Sequence, residues 1–217
     1  MTLRRLVLPL SLIAAAASLS ACGDDDDYAP PYVADLAEIH TTAAGRIQSL
    51  VRDNGETLGV SNAASWGTLV PDTIYRVYAV YLAPEADERQ VQVLSLSSVF
   101  SPFAVPMEPE QMKIDPVEVT AIWRGGEYVN LSVSVPTDGG RHALGFADRG
   151  ITTLSSGGRL LHITLCHDAQ ATKPNYPAQA YLSLPLRPYA ATMTRGTDSI
   201  EVTVNTTQGM QTHRLPY

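Results

Sequence analysis

The chain has 217 residues, 45% of them hydrophobic and 17% charged, with two cysteines and a formal net charge of -7. That length and hydrophobicity suffice for packed cores and exclude a disordered acidic chain. Two cysteines exclude a disulfide-rich scaffold and a four-cysteine zinc site, and the acidic balance argues against a nucleic-acid partner.

Arg4 and Arg5 precede an apolar run from Leu6 to Ala17, interrupted by Pro9. A positive start followed by an apolar stretch too short to span a bilayer reads as a secretory signal. It ends in Leu19-Ser20-Ala21-Cys22, which resembles the lipobox of bacterial lipoproteins. The resemblance implies cleavage before Cys22 and a lipid on its thiol, so residues 1–21 are a signal peptide and the membrane partner is reached through that lipid. Loss of Arg4 and Arg5 leaves the mature chain more acidic still. Gly23-Asp24-Asp25-Asp26-Asp27 follows. Adjacent carboxylates repel and stay solvated, so residues 22–31 read as an acidic tether. The acidic run resembles the signal that sends some lipoproteins of Gram-negative anaerobes to the outer face of the outer membrane.

The body lacks helical periodicity. Short alternating apolar runs punctuated by Gly, Pro, Asn and Asp predict an all-β protein. Strands are expected over 32–41, 46–51 and 56–60, the last two joined at Asp53-Asn54-Gly55, where Asn-Gly supplies the positive φ angles of a tight hairpin. Residues 61–72 read as a polar loop carrying Trp66. Strands at 73–82 and 90–99 follow; the first is apolar on both faces and is expected to be covered on both. Five strands in about seventy residues suit a small OB-like barrel over 32–101. Pro102, Pro106, Pro109 and Pro116 then mark a connection.

A C-terminal antiparallel β-sandwich is expected over 102–217. In the run 128–135, Val129, Leu131, Val133 and Val135 point to the core, and Asn130, Ser132 and Ser134 point outward. Strands are also expected at 117–123, 141–147, 160–166 and 179–186, with a final hairpin of 199–206 and 210–215.

Several stretches in order resemble the NigD-like lipoproteins: Asp53-Asn54-Gly55-Glu56-Thr57-Leu58, Arg76-Val77-Tyr78-Ala79-Val80-Tyr81, Ile122-Trp123-Arg124-Gly125-Gly126-Glu127-Tyr128-Val129-Asn130-Leu131 and Leu184-Pro185-Leu186. The third is the most specific. The chain departs from the family pattern at Leu165-Cys166-His167-Asp168, where an Arg-His-Asn stretch is usual. The resemblance implies an OB-like domain followed by a β-sandwich. The family takes its name from a protein encoded in a bacteriocin locus, and the resemblance carries no catalytic or binding residues across.

No nucleotide-binding loop, nucleophile elbow or paired-histidine zinc motif is present, so no catalytic residue, cofactor or metal is assigned. His162, Cys166 and His167 are the best candidate for a metal-like grouping. In a strand, His162 and Cys166 share one face and His167 lies on the other, so the three do not converge. Cys166 reads as a small buried hydrophobe. Trp66 is the candidate ligand contact, able to stack on a sugar or peptide; the simpler reading has it plug the barrel end. Trp123 and most tyrosines read as core. The function expected is a non-catalytic envelope lipoprotein, a binding or accessory module for a glycan, peptide or protein ligand. Protection against a bacteriocin, or action as an enzyme or inhibitor on an extracellular polymer, are the alternatives.

Overall fold

The computed structural model describes residues 31–84, 88–170 and 172–217. Cys22, and with it the lipid-attachment reading, lies outside these residues. The architecture is all-β, with two curled bodies, each around its own hydrophobic cluster.

The first body is built from β1 (Tyr32–Thr41), β2 (Ile47–Arg52), β3 (Thr57–Val60), β4 (Ile74–Leu82), β5 (Gln90–Val91) and β6 (Val93–Ser98). The sheet order is β5-β3-β2-β1-β4-β6. Only Gln92 separates β5 from β6, and the two halves pair with opposite edges: β5 runs parallel to β3 and β6 antiparallel to β4. One broken strand thus closes the sheet on itself with OB-fold connectivity. Asn62 clamps the break, donating from Nδ2 to the Val93 carbonyl at 2.8 Å and accepting from the Val93 amide at 3.0 Å. Alternation fills the interior with Ala37, Ile39, Leu50, Leu58, Val77, Ala79, Tyr81, Val91 and Val93, all buried.

The β2–β3 turn differs in detail from expectation. Gly55 alone has positive φ, +87°, and Asn54 does not. The Gly55 amide donates to the Arg52 carbonyl at 2.9 Å, as does the Arg52 amide to that of Glu56, giving a three-residue loop with glycine at the left-handed position. The expected loop at 61–72 contains a short 3-10 helix, Ala63–Trp66.

The second body is a sandwich. One sheet holds β7 (Val105–Pro106), β10 (Ala143–Thr153), β11 (Arg159–Asp168), β13 (Ser199–Thr206) and β14 (Gly209–Pro216), in the order β14-β13-β11-β10-β7. The other holds β8 (Glu118–Gly125), β9 (Tyr128–Thr137) and β12 (Tyr176–Pro185), in the order β12-β9-β8. Pairing is antiparallel except between β11 and β13 and between β7 and β10. Val129, Leu131 and Val133 face Leu161, Ile163, Leu165, Ile200 and Val202 across the core. Pro177 and Pro185 lie on β12, an edge strand, where a missing amide donor is tolerated.

Candidate functional site

The outward face of the three-stranded sheet does not meet solvent everywhere. Asn130 and Ser183 are 0% exposed and Tyr128 is 4% exposed. They are excluded from the sandwich core by alternation and buried against the outer surface of the barrel. Asn130 was expected to face out; it faces away from the sandwich core but into a polar joint.

Arg76 of β4 is the centre of this joint. Its position in an apolar strand places Val77 inside the barrel and Arg76 outside, where it is 6% exposed. Its guanidinium donates to both carboxylate oxygens of Asp53, at 2.6 and 2.8 Å. Nη2 also donates to Asn130 Oδ1 at 3.0 Å, and Nε to Ser183 Oγ at 3.0 Å. Asn130 Nδ2 donates to Asp53 Oδ2 at 2.9 Å, and the Ser183 hydroxyl to Asn130 Oδ1 at 2.7 Å. Arg76 lies 4.0 Å from the centroid of the Tyr128 ring. A bidentate, fully bonded pair is the form in which a guanidinium tolerates burial.

Glu38 of β1 extends the network. It accepts from the Tyr128 hydroxyl at 2.7 Å, from Arg187 at 2.5 Å, and bonds His40 at 2.7 Å. Burial alone would raise its carboxyl; the hydrogen bonds from His40 and Tyr128 and the charge of Arg187 outweigh it and hold the group below the usual range. Burial and the bond to Glu38 push the Tyr128 hydroxyl up, so it stays a donor.

Gly125 and Gly126 make room for this joint. A Cβ on Gly125 would stand 2.3 Å from Asp53 Oδ2 and 2.7 Å from Asn130 Nδ2, and Gly126 has φ +52° with Asp53 backbone 3.2 Å away. The Gly-Gly-x-Tyr-x-Asn motif, Asp53 of the hairpin and Arg76 therefore meet at one place. Sequence reasoning assigned Arg76, Asp53 and Ser183 no role; a lone arginine inside an apolar strand was the available signal.

Two clefts flank the Arg52–Asn54 turn. One, of about 470 Å³, is lined by Ala34, Asp35, Leu36, Arg52, Asp53, Asn54, Tyr78, Trp123 and Tyr181. Tyr78 and Tyr181 stack with ring centroids 5.5 Å apart and planes 13° from parallel. Trp123, expected in the core, lines this cleft instead, because a register shift after Val119 turns Ala121, Trp123 and Gly125 to the face that Ser132, Asn130 and Tyr128 share, away from the sandwich core. The other cleft, of about 410 Å³, is charged, with Glu38, His40, Glu127, Arg187 and Arg195 in its walls.

Trp66 is partly buried at the barrel. It packs on the barrel cluster and, with Ile39, Leu69, Tyr75, Val77, Leu96 and Ser98, lines an apolar pocket of about 230 Å³. Its indole nitrogen is buried without a hydrogen-bond partner among the described residues. Cys166 is half-buried and burial pushes its thiol up. His162 bonds Glu201 at 2.9 Å on one face. His167, 2% exposed, bonds His142 at 2.8 Å on the other.

The NigD-like C-terminal beta sandwich domain model matches residues 103–217. A NigD-like immunity protein from Bacteroides caccae superposes with a TM-score of 0.65 at 27% identity, over 86% of this chain and 93% of that one. A Parabacteroides distasonis protein provisionally described as toxin-related superposes at 0.68 with 14% identity, over 86% and 93%. A Bacteroides fragilis protein provisionally described as a lipoprotein superposes at 0.63 with 10% identity, over 86% and 98%. The last two share the fold alone. Comparison with curated proteins gave no match. With its sandwich matched by the family model and its signature residues gathered at the joint, the chain belongs to the NigD-like family.

Proposed function

We propose that this chain is a lipid-anchored, non-catalytic binding module of the cell envelope, tethered through Cys22 at the outer membrane. The observation that carries the reading is how the joint's ionisable groups are used. Arg76, Asp53, Glu38, Tyr128 and Arg187 are committed to one another, while aromatic rings stay open in the cleft beside them. Catalysis by acid–base or nucleophilic chemistry needs such groups poised toward a substrate; a scaffold that presents rings and rim polar groups suits recognition. The lipobox-like Leu19-Ser20-Ala21-Cys22 supports the anchor. Among the described residues no helix is long and apolar enough to cross a membrane.

Wild-type protein should fractionate with membranes and Cys22→Ser should not. Membrane retention and unchanged processing of Cys22→Ser would overturn the anchor, and turnover of a bound ligand would overturn the non-catalytic reading.

A second reading is favoured by one comparison: the Bacteroides caccae relative is described as an immunity protein. Under it, the chain protects its host from a bacteriocin. Its test is survival: deleting the gene should sensitise the host to a bacteriocin that the parent strain resists.

A further inference from the structure

We infer that the aromatic cleft between the barrel and the three-stranded sheet is a saccharide site that takes neutral sugar rings of an oligosaccharide; this rests on reading the chain as a binding module.

Strand register builds the platform. Trp123 is opposite Asn130, and Asn130 is opposite Ser183. Ser132, two residues further along β9, is opposite Tyr181. Cross-strand partners share a face, so Trp123 and Tyr181 rise from the same side of the sheet on strands flanking β9. Between them β9 contributes only Asn130 and Ser132. Tyr181 is 39% exposed, yet its ring plane is fixed by the stack on Tyr78. A large ring held at the surface before any ligand arrives loses little freedom on binding.

The opposite rim is polar and planar. Asp35 Oδ2 accepts from Arg52 Nε at 2.9 Å and from the Tyr81 hydroxyl at 2.8 Å. Arg52 Nη1 is held by Glu56, and Asn54 Oδ1 accepts from the Glu56 amide. Asp35 Oδ1, Arg52 Nη2 and Asn54 Nδ2 make no hydrogen bond among the described residues. Carboxylate, guanidinium and carboxamide thus present one acceptor and two donors along a rim that faces aromatic rings. Sugar hydroxyls both donate and accept, and the C–H face of a pyranose is apolar, so such a ring satisfies both walls at once.

The charge pattern selects neutral sugars. Arg52 is paired with Asp35 and Glu56, and Asp53 with Arg76. No uncompensated cation lines this cleft, and a chain of net charge -7 repels polyanions. A volume of about 470 Å³ lies within the usual range for ligand pockets, about 300–1,000 Å³.

The chain has two tryptophans, so Trp66→Phe leaves Trp123 as the single indole reporter. This variant is titrated with neutral hexasaccharides of glucose, mannose, xylose and N-acetylglucosamine, following fluorescence, with calorimetry on wild type in parallel. At least one should shift Trp123 emission saturably. Trp123→Ala and Tyr181→Ala should each weaken it at least about tenfold with melting temperature retained, and Tyr181→Phe should bind like wild type. If no hexasaccharide binds, the saccharide inference falls and the binding-module reading is untouched. If binding survives both alanine substitutions, the cleft assignment falls. Hydrolysis of a bound hexasaccharide, lost in both alanine variants, would support the cleft and overturn the non-catalytic reading instead.

Discussion

At the scale of single residues, the joint turns side-chain protonation into stability. Glu38 has its carboxyl held below the ordinary value in the folded state. A depressed carboxylate stabilises the fold fully above the unfolded glutamate value, about 4.3, and that contribution is lost as pH falls through the lower folded-state value. Wild type should therefore lose melting temperature more steeply than Glu38→Gln between about pH 5 and pH 3. Parallel curves would show that Glu38 carries no such linkage. Arg76 and Asn130 also mark where sequence reading stopped. Alternation said that Asn130 leaves the sandwich core, and it does. Polarity alone does not distinguish a face turned to water from one turned to a polar neighbour, so the joint was invisible until the two bodies were placed together.

Strands and turns were more legible than contacts, because alternation and glycine act over a few residues. Every strand expected in the barrel is present, and the one at 90–99 is broken at Gln92 to meet two edges. Such a break depends on distant partners and leaves no local mark. The specific Gly-Gly-x-Tyr-x-Asn stretch was legible as a signature but not as a cause: Gly125 is required by the Asp53 carboxylate 2.3 Å from where its Cβ would be. Gly125→Ala should displace that carboxylate and cost about 2–3 kcal/mol in chemical denaturation, the range of a broken buried network. Gly145→Ala, whose Cβ would meet nothing within 4 Å, should cost little. Equal effects would remove the close-approach argument.

For the whole molecule, the joint decides whether barrel and sandwich unfold together. The two hydrophobic clusters share no residue; coupling runs through the Arg76 network, the bonds of Glu38 to Tyr128 and Arg187, and the Tyr78–Tyr181 stack. Removing one partner of a buried ion pair strands the other and costs about 3–5 kcal/mol. Arg76→Met should leave Asp53 without its counter-charge and Asn130 and Ser183 without the bonds from the guanidinium, converting one cooperative thermal transition into two separable ones in calorimetry. A single transition shifted downward would mean that the bodies are coupled by other contacts. The two-body, all-β arrangement was legible from the density of short strands and turn residues; its mechanical unity was not.

One strand has a further consequence. β1 carries Ala34 and Leu36 into the aromatic cleft and begins at Tyr32, on the side of the chain that leads to Cys22. It is clasped antiparallel by β4 from Tyr32 to His40 and by β2 from Ala37 onward. If the chain is anchored through Cys22 and fills its cleft as proposed, tension between the two enters the barrel along β1 in shear, loading many backbone hydrogen bonds together instead of unzipping them in turn. An occupant held by Trp123 and Tyr181 pulls on the sandwich sheet, so the load reaches β1 across the polar joint, and the grip of the cleft can be no stronger than the cohesion of the two bodies.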